Sequence, residues 1–465
     1  MKVLLARPAE LRASQGVAPC NDVGLGYLAS ACVASGAVVE LIGWDTPLDA
    51  RLLRQRLRDF TPDVVGVKVF TPWFRETLKT LQLVRQELPG TITIIGGPHA
   101  STSHPEDLFA EFNGVLDFAI AGDGECGMKA LLGRLAVRAG SSAGGLCDVP
   151  GLIYRDGGCI RANAPCLDTP LDELSEPDWA VQALKSTESN RGGDAVPIMI
   201  PDSRGCPGRC GHCMSGRING RTVRKLTARR LCQVLGELVE GHGVRVFEFS
   251  GNSFMAEKGY VIEICEWLLR TGIAVRWGCT GAEYVDTLRD RHLLQMMARA
   301  GCSQVHFGIE SGDARIVRDL RKPFELRQVA EAVRVTAEAG IAPLGYFMFG
   351  FPEETLQQME NTIEYAWSLP LAQRKFCICL PLPGMTSYGA LLQRYRLERI
   401  DWSRYDFARP SLLPCVPSPG EVQHLLTEAR RLEMGRSEQP RSPLQRVRHA
   451  VARARKGLLR CLGAG

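Results

Sequence analysis

The stretch Arg204-Gly205-Cys206-Pro207-Gly208-Arg209-Cys210-Gly211-His212-Cys213 places three thiols within eight residues. Soft thiolates at this density select zinc or an iron-sulfur cluster. Three cysteine ligands would leave one iron of a four-iron cluster without a protein ligand, and a molecule with an amine and a carboxylate can chelate that iron. A zinc site completed by His212 is the alternative, but adjacent His212 and Cys213 would have to turn sharply to reach one tetrahedral ion.

This cysteine loop follows a predicted strand. From that strand onward, short β-branched runs alternate with stretches whose apolar residues recur at helical spacing. Because parallel strands need helical crossovers, the alternation predicts an α/β fold, and its six βα units predict an open, partial barrel. Such a barrel carries its chemistry at the C-terminal ends of its strands. Besides the cysteine loop, the segments at those ends are 251–252, 308–312, 350–352 and 381–384.

A separate alternating series occupies the N-terminal part of the chain. Its five short apolar strands and four helices predict a doubly wound, Rossmann-like domain, which binds ligands beyond the carboxyl ends of its strands. The predicted domains are 1–140 for this first domain, 141–193 for a linker with a hairpin, 194–390 for the barrel, and 391–465 for a small helical C-terminal region with a basic tail.

The composition bounds the class of protein. The 465 residues carry a net charge of +5 from 56 basic and 51 acidic residues, so nucleic acid is not an expected partner. Seventeen cysteines without a signal segment predict reduced thiols and a cytoplasmic location. The longest uncharged run, Val23 to Val39, is interrupted by glycines and serines and falls short of the roughly 20 predominantly apolar residues of a transmembrane segment. The basic tail after Glu438 fits either an amphipathic helix or a solvated terminus.

The spacing Cys-x-x-x-Cys-x-x-Cys after a strand resembles the signature of the radical SAM superfamily. Its context resembles the branch that includes the anaerobic magnesium-protoporphyrin ester cyclase and the cobalamin-dependent methyltransferases. Phe247 to Phe254 is similar to the second-strand motif of that branch. Segments similar to its fourth, fifth and sixth strand ends are His306 to Gly312, Gly345 to Thr355, and Pro381 to Gly384 with Tyr388.

The resemblance implies a [4Fe-4S] cluster on Cys206, Cys210 and Cys213, with the fourth iron binding S-adenosylmethionine. It also implies a pocket for that molecule, formed by Asn252, Glu310, Ser311, Phe349, Gly350, Pro383 and Gly384. The chain departs from the usual pattern at His212, at Asn252 and at Met385, where an aromatic residue, an acid and a hydroxyl residue are common. For Glu310 the alternative is a buried carboxylate with a structural role only.

The first domain resembles the cobalamin-binding domain that precedes many radical SAM cores, through the order of its glycine-containing loops. The implied cobalamin contacts are Thr71, Gly96, Gly97, His99, Gly122 and Gly124. The motif Asp-x-His-x-x-Gly, which supplies a histidine to cobalt, is absent from Pro8 to Gly16, so we expect no histidine from that loop on the metal. The lower axial ligand of cobalt stays open, and a remnant domain without cobalamin is the alternative.

The family then implies a cobalamin-dependent radical S-adenosylmethionine enzyme that methylates an unactivated carbon of a small molecule or natural product. An external electron donor of the flavodoxin or ferredoxin type is the implied partner. A non-methylating cyclisation or rearrangement shares this architecture. An iron-sulfur sensor without turnover is the third possibility, although intact 308–312 and 381–384 loops argue for an adenosyl pocket that a sensor does not need.

A cluster analysis tests the cysteine assignment. Anaerobic reconstitution should give about four iron and four sulfide per chain, as one cubane requires. The variant in which Cys206, Cys210 and Cys213 are all replaced by alanine should bind no cluster, because it lacks every proposed ligand. Cys377→Ala and Cys379→Ala are the matched controls and should retain the full iron content. A cluster that persists in the triple variant would refute the assignment.

Overall fold

The computed structural model describes residues 1–8, 22–43, 48–138, 145–179, 197–252, 254–282, 285–403, 405 and 412–434. The chain divides into two compact units. The first unit comprises 1–207, 214–246 and 401–404, and the second comprises 208–213, 247–400 and 405–465. Both units are built from parallel strands with connecting helices, which confirms the predicted α/β class.

A seven-stranded sheet forms the centre of the first unit, in the order β2-β1-β3-β4-β5-β6-β7. The strands β1 to β5 pair in parallel, and the last two pair antiparallel. The inner parallel strands β1, β3 and β4 are mostly runs of buried apolar residues, as expected of strands covered on both faces. The bounds are β1 Lys2–Ala6, β2 Val38–Ile42, β3 Val64–Lys68, β4 Ile92–Gly96, β5 Phe118–Ile120, β6 Leu152–Asp156 and β7 Cys159–Ala162.

Two of the described helices that accompany this sheet begin at an aspartate cap. Asp22 accepts a hydrogen bond from the Leu25 amide at 3.1 Å, and Asp49 accepts one from the Leu52 amide at 2.7 Å, so both satisfy open N–H groups of a first turn. The helices are α1 Val23–Ala34, α2 Ala50–Phe60, α3 Phe74–Glu87, α4 Pro98–Thr102, α5 Pro105–Glu111 and α6 Gly124–Arg138.

The rest of the first unit includes two short strands, one before and one after the cysteine loop. Strands β9 and β10 form a short antiparallel ladder in which Ser203 pairs with Lys225 and Arg204 with Arg224. The helix Ala228–Gly236 continues as a π-helical turn over Glu237–Gly241. The elements are β8 Ile198–Ile200, β9 Ser203–Arg204, α7 Ser215–Ile218, β10 Arg224–Lys225 and α8 Ala228–Gly236.

Parallel strands in the order β15-β14-β13-β12-β11 form the sheet of the second unit. The strands are β11 Val246–Phe249, β12 Arg276–Ala282, β13 Cys302–Glu310, β14 Ala342–Phe349 and β15 Gln373–Ile378. The helices are α9 Lys258–Thr271, α10 Arg291–Arg299, α11 Ala314–Asp319, α12 Leu326–Glu338, α13 Leu356–Ser368, α14 Thr386–Tyr395 and α15 Pro419–Met434.

Two further sequence predictions concern the linker hairpin and the basic C-terminal tail. The hairpin expected in the linker adds β6 and β7 to the first sheet, so that sheet extends past the predicted domain boundary at residue 140. The basic tail after Glu438 lies outside the described residues. Among the described residues, none of the helices combines the length and apolar composition that a membrane crossing requires.

A buried arginine joins α13 to β15 in the second unit. The Arg374 guanidinium donates to the carbonyl oxygens of Ala366 at 2.7 Å, Leu369 at 2.7 Å and Leu371 at 3.2 Å. Its Cζ atom also lies 4.4 Å from the centre of the Trp367 ring. These carbonyls belong to the end of a helix and the turn after it, where intrahelical donors are lacking. Arg374 therefore supplies donors to the carbonyl groups at the C-terminal end of α13.

Arg374→Met should lower the free energy of unfolding by about 3 kcal/mol, because it leaves several buried carbonyl groups without a donor. Urea unfolding followed by circular dichroism would measure the loss. Arg327→Met is the control, since Arg327 forms a solvent-exposed ion pair with Glu325. An equal effect of the two substitutions would contradict the role given to Arg374.

Candidate cofactor sites

The cysteine loop begins at a left-handed glycine. Gly205 has φ of +88°, and the Cys206 amide donates to the Gly220 carbonyl at 3.1 Å. Cys206 belongs to the first unit, whereas Cys210 and Cys213 belong to the second. Within the described ranges, no three His, Cys, Asp or Glu side chains lie close enough together to hold a metal ion. The assignment of the cluster therefore rests on the chemistry of three closely spaced thiolate donors.

In the second unit, the loop is tied down near its last two cysteines. The Cys213 amide donates to the Cys210 carbonyl at 3.1 Å, which closes a turn between them. The Gly211 amide donates to the Leu320 carbonyl at 3.0 Å, at the end of α11. Cys210 is buried and Cys213 is exposed. The backbone of this segment is thus held by the protein on both sides of His212.

Glu310 ends strand β13 with a left-handed backbone, at φ of +68°. Its Oε1 atom lies 3.1 Å from Lys322 Nζ and 3.5 Å from His212 Nε2. Burial favours the neutral acid, but the Lys322 ammonium and His212 outweigh it and lower the pKa of Glu310 to about 2. Sequence reasoning missed Lys322, which lies 12 residues from Glu310 and belongs to no recognised motif.

Two buried polar atoms of this group have no hydrogen-bond partner in the described part of the chain. They are Glu310 Oε2 and His212 Nδ1. Unsatisfied buried atoms of this kind are rare, and they mark places where a ligand or water completes the pairing. An ionised carboxylate oxygen fits the amino group of S-adenosylmethionine, which donates three hydrogen bonds. The residues present therefore fit that molecule at Glu310.

His212 stands where the resemblance leads one to expect an aromatic side chain. Its ring lies edge-on to the Phe351 ring, with the centroids 5.9 Å apart. The histidine thus keeps the ring contact and adds a nitrogen that faces Glu310 Oε1. This second contact explains how the departure from the usual pattern is accommodated.

Ser311 is fully buried and its hydroxyl is engaged within the loop that follows β13. It lies 2.9 Å from Thr362 Oγ1 and accepts from the Asp313 amide at 3.1 Å. Thr362 also accepts from the Gly312 amide at 3.0 Å, so one residue of α13 holds two positions of this loop. In the structure, the Ser311 side chain fixes the backbone of the loop, and its contact with the cofactor stays a prediction.

The turn after β14 is organised by a buried acid. Glu354 Oε2 accepts from the Gly350 amide at 2.7 Å and the Phe351 amide at 3.1 Å. Burial raises the pKa of Glu354 to about 8, against the two amides, which lower it. Gly350 has φ of +99°, and the Phe349 ring stacks on Phe376 at 5.7 Å. The Phe349 side chain thus belongs to the core, and the contacts of Phe349 and Gly350 with adenine stay predictions.

The remaining predicted positions of this pocket lie in loops after strands. Asn252 is half-buried after β11, and the structure places Pro383 and Gly384 in the loop between β15 and α14. Gly384 has φ of +81°, a conformation that favours glycine. Their roles toward S-adenosylmethionine stay predictions.

In the first unit, Thr71 and His99 contact each other directly. Thr71 Oγ1 lies 2.9 Å from His99 Nδ1, and Glu111 Oε2 lies 3.1 Å from His99 Nε2. The imidazole is fully buried, and its ring packs against those of Phe74 and Trp402 at 5.4 Å and 6.2 Å. Both ring nitrogens already have partners, so the histidine supports the loops after β3 and β4. Its contact with cobalamin stays a prediction.

The predicted cobalamin glycines lie at the carboxyl ends of two neighbouring strands, β4 and β5. Gly97 has φ of +104°, and Gly122 has φ of +78° and donates its amide to Ser101 Oγ at 3.0 Å. Gly96 is the last residue of β4, and Gly124 begins α6. Parallel strands bring these small, uncharged residues to one edge, which fits the close approach of a large ring.

Two family models match the chain. One, described as the radical SAM superfamily, matches residues 200–366, and the other, described as the B12 binding domain, matches residues 16–132. The chain is a cobalamin-binding radical SAM protein. The radical SAM domain implies the [4Fe-4S] cluster and S-adenosylmethionine, and the B12 binding domain implies cobalamin, so the three predicted cofactors are confirmed at the level of domains.

Curated relatives of this cobalamin-binding radical SAM protein include two kinds of enzyme. An uncharacterized methyltransferase of Pyrococcus horikoshii is 28% identical over 92% of this chain and 91% of its own. The anaerobic magnesium-protoporphyrin IX monomethyl ester cyclase of Rubrivivax gelatinosus is 26% identical over 88% of this chain and 73% of its own.

Among solved structures, the radical S-adenosylmethionine methyltransferase TsrM from Kitasatospora setae, with tryptophan substrate and an S-adenosylmethionine analogue bound, is similar. It has a TM-score of 0.64 and 17% identity, over 84% of this chain and 76% of its own. At this identity the likeness shows the fold, and it confirms the architecture of a cobalamin-binding domain and a radical SAM domain on one chain.

We predict that cobalamin bound to the full-length protein carries no histidine nitrogen on cobalt. The segment 9–21 contains no histidine, and both nitrogens of His99 are engaged with other residues. The electron paramagnetic resonance spectrum of the cob(II)alamin form should therefore lack histidine hyperfine splitting. His99→Gln should leave that spectrum unchanged, and splitting that disappears in this variant would contradict the prediction. Failure of the protein to bind any cobalamin would overturn the site itself.

Proposed function

We propose that this protein is a cobalamin-dependent radical S-adenosylmethionine methyltransferase that acts on an unactivated carbon of a small molecule. The observation that carries the proposal is the presence of a B12 binding domain and a radical SAM domain on one chain. A radical SAM domain alone suffices to generate a radical. Cobalamin must therefore serve a different step of the reaction, and methyl transfer to carbon is such a step.

The relatives support methylation over the other reactions of this architecture. The match to the methyltransferase of Pyrococcus horikoshii extends over nearly the whole length of both chains. The cyclase match covers a smaller share of its partner, 73%. A cyclisation or rearrangement remains the second candidate because the cyclase is similar over 88% of this chain.

The residues of the second unit suit the binding of S-adenosylmethionine. When bound, the cofactors supply the methyl group and the radical, so the protein's task is to bind and orient them. Lys322 and His212 hold Glu310 ionised, and its open Oε2 atom is an acceptor for the ammonium group of the ligand. Glu354 orients the amides of Gly350 and Phe351, which fixes the turn proposed to lie near the adenine.

Radical generation consumes an electron that S-adenosylmethionine itself does not supply. We therefore propose an external flavodoxin or ferredoxin as the reductant of the cluster. A cytoplasmic location follows as part of the same proposal, because such carriers and an oxygen-sensitive cluster belong to a reducing compartment.

Methyl-deuterated S-adenosylmethionine tests the proposal. With the true substrate, identified through neighbouring genes, and a strong reductant, we expect deuteromethylated product together with both 5′-deoxyadenosine and S-adenosylhomocysteine. Mass spectrometry of the products measures all three. The Cys206→Ala, Cys210→Ala, Cys213→Ala variant is the control and should form no 5′-deoxyadenosine.

The product pattern separates the candidate functions. Turnover that gives 5′-deoxyadenosine and a product without the labelled methyl would reject methylation and favour cyclisation or rearrangement. Labelled product without 5′-deoxyadenosine would retain the transfer but reject the radical step. Cofactor binding without any turnover of substrate would favour a sensor.

A further inference from the structure

A buried network of four charged residues lies in the first unit, beside the start of the cysteine loop. Arg204, in β9, contacts Glu125 with both terminal nitrogens, at 2.6 Å to Oε1 and 3.1 Å to Oε2. This is the two-point geometry in which a guanidinium and a carboxylate fix each other's orientation. The Tyr27 ring packs on Arg204, with 5.6 Å between Cζ and the ring centre.

Asp123 connects this pair to the neighbouring strand. Its Oδ1 atom lies 3.3 Å from Arg204, and its Oδ2 atom lies 2.6 Å from Arg224 Nη1, in β10. Arg224 also donates to the carbonyls of Thr169 at 3.0 Å and Asn219 at 3.1 Å. The network therefore ties the loop after β5 to both strands of the β9–β10 ladder. We call these four residues, Asp123, Glu125, Arg204 and Arg224, the latch.

The latch lies directly before the first cluster ligand. Arg204 precedes Cys206 by two residues, and only Gly205 stands between them. A side chain at Gly205 would place its Cβ 2.1 Å from the Thr222 carbonyl oxygen, so the backbone of Gly205 packs directly against that of Thr222. The Cys206 amide is held by the Gly220 carbonyl. A displacement of Arg204 would consequently be passed to Cys206.

Stability alone does not explain this arrangement. Burying charges costs desolvation energy, and apolar residues of similar size serve a core equally well or better. A charged network instead fixes one geometry, because every donor and acceptor must meet its partner. Asp123 belongs to the loop assigned to cobalamin and Glu125 to the first turn of α6, which follows it, yet both carboxylates already face arginines. The glycines of this segment are thus left to contact a ligand, whereas its two acids bind the arginines of the latch.

We propose that Asp123, Glu125, Arg204 and Arg224 are positioning residues that fix the Cys206 ligand relative to the loop after β5. The inference rests on the proposed role of Cys206 in holding the cluster. None of the four touches the cluster in this proposal. They act through the backbone of Ser203 to Cys206.

Glu125→Gln and Arg204→Met test the latch in the full-length protein, reconstituted anaerobically with iron and sulfide. Both variants should assemble a cluster but lose iron to a chelator about 10- to 100-fold faster than the wild type, as loss of residues that orient a metal ligand commonly does. Arg204→Lys should be intermediate, because it keeps the charge but not the two-point contact. The electron paramagnetic resonance spectrum of the reduced cluster should change with the same ranking.

Asp117→Asn is the matched control. It weakens a half-buried ion pair with Arg85, at 2.8 Å, in the same unit but outside the latch. We expect a lower melting temperature, with the chelation rate and the spectrum of the wild type. If this control loses iron as fast as the latch variants at equal loss of stability, or if the latch variants match the wild type, the positioning role is wrong. If the wild type itself takes up no cluster, the cofactor assignment fails first, and the latch inference with it.

Discussion

Parallel strands must be joined by crossovers, so their carboxyl ends collect at one edge of each sheet, and the candidate residues of this protein lie mostly at those edges. In the second unit, Glu310 ends β13 and Gly350 follows β14. In the first unit, Gly97 follows β4 and Gly122 follows β5. The loops that carry these positions are far apart in the chain, and within each unit the sheet brings them to one edge.

Burial makes the pKa values of the acids at these edges depend on their neighbours. In a medium of low polarity a carboxylate is stabilised in its ionised form by a neighbouring cation, and the Lys322 ammonium supplies one for Glu310. Glu354 has two amides but no cation among its described contacts, and its pKa rises instead. The pKa values of two acids in neighbouring loops are therefore shifted in opposite directions. One can accept from a ligand's ammonium group, and the other holds a turn.

The sequence predicts those features that have a period or a fixed spacing. Alternating strands and helices, the three cysteines and the order of glycine loops lead to the confirmed fold class, family and cofactors. Contacts between side chains that are far apart in the chain leave no periodic pattern in the sequence. Lys322 lies 12 residues from Glu310, and Arg204 lies 79 residues from Glu125, so their partners become visible only in the structure. Likewise, Ser311 and Phe349 were correctly placed at strand ends, but their side chains are engaged in loop and core contacts.

The antiparallel hairpin of β6 and β7 has a consequence for solubility. It covers β5, the last of the buried parallel strands, and makes β7 the terminal strand of the sheet. Strand β7 is short and mostly exposed, and Arg161 on it pairs with Asp156 at 2.7 Å. An apolar parallel edge would offer a template for pairing with another chain, whereas a short, charged, antiparallel edge discourages it. The hairpin thus protects the first sheet against aggregation along this side.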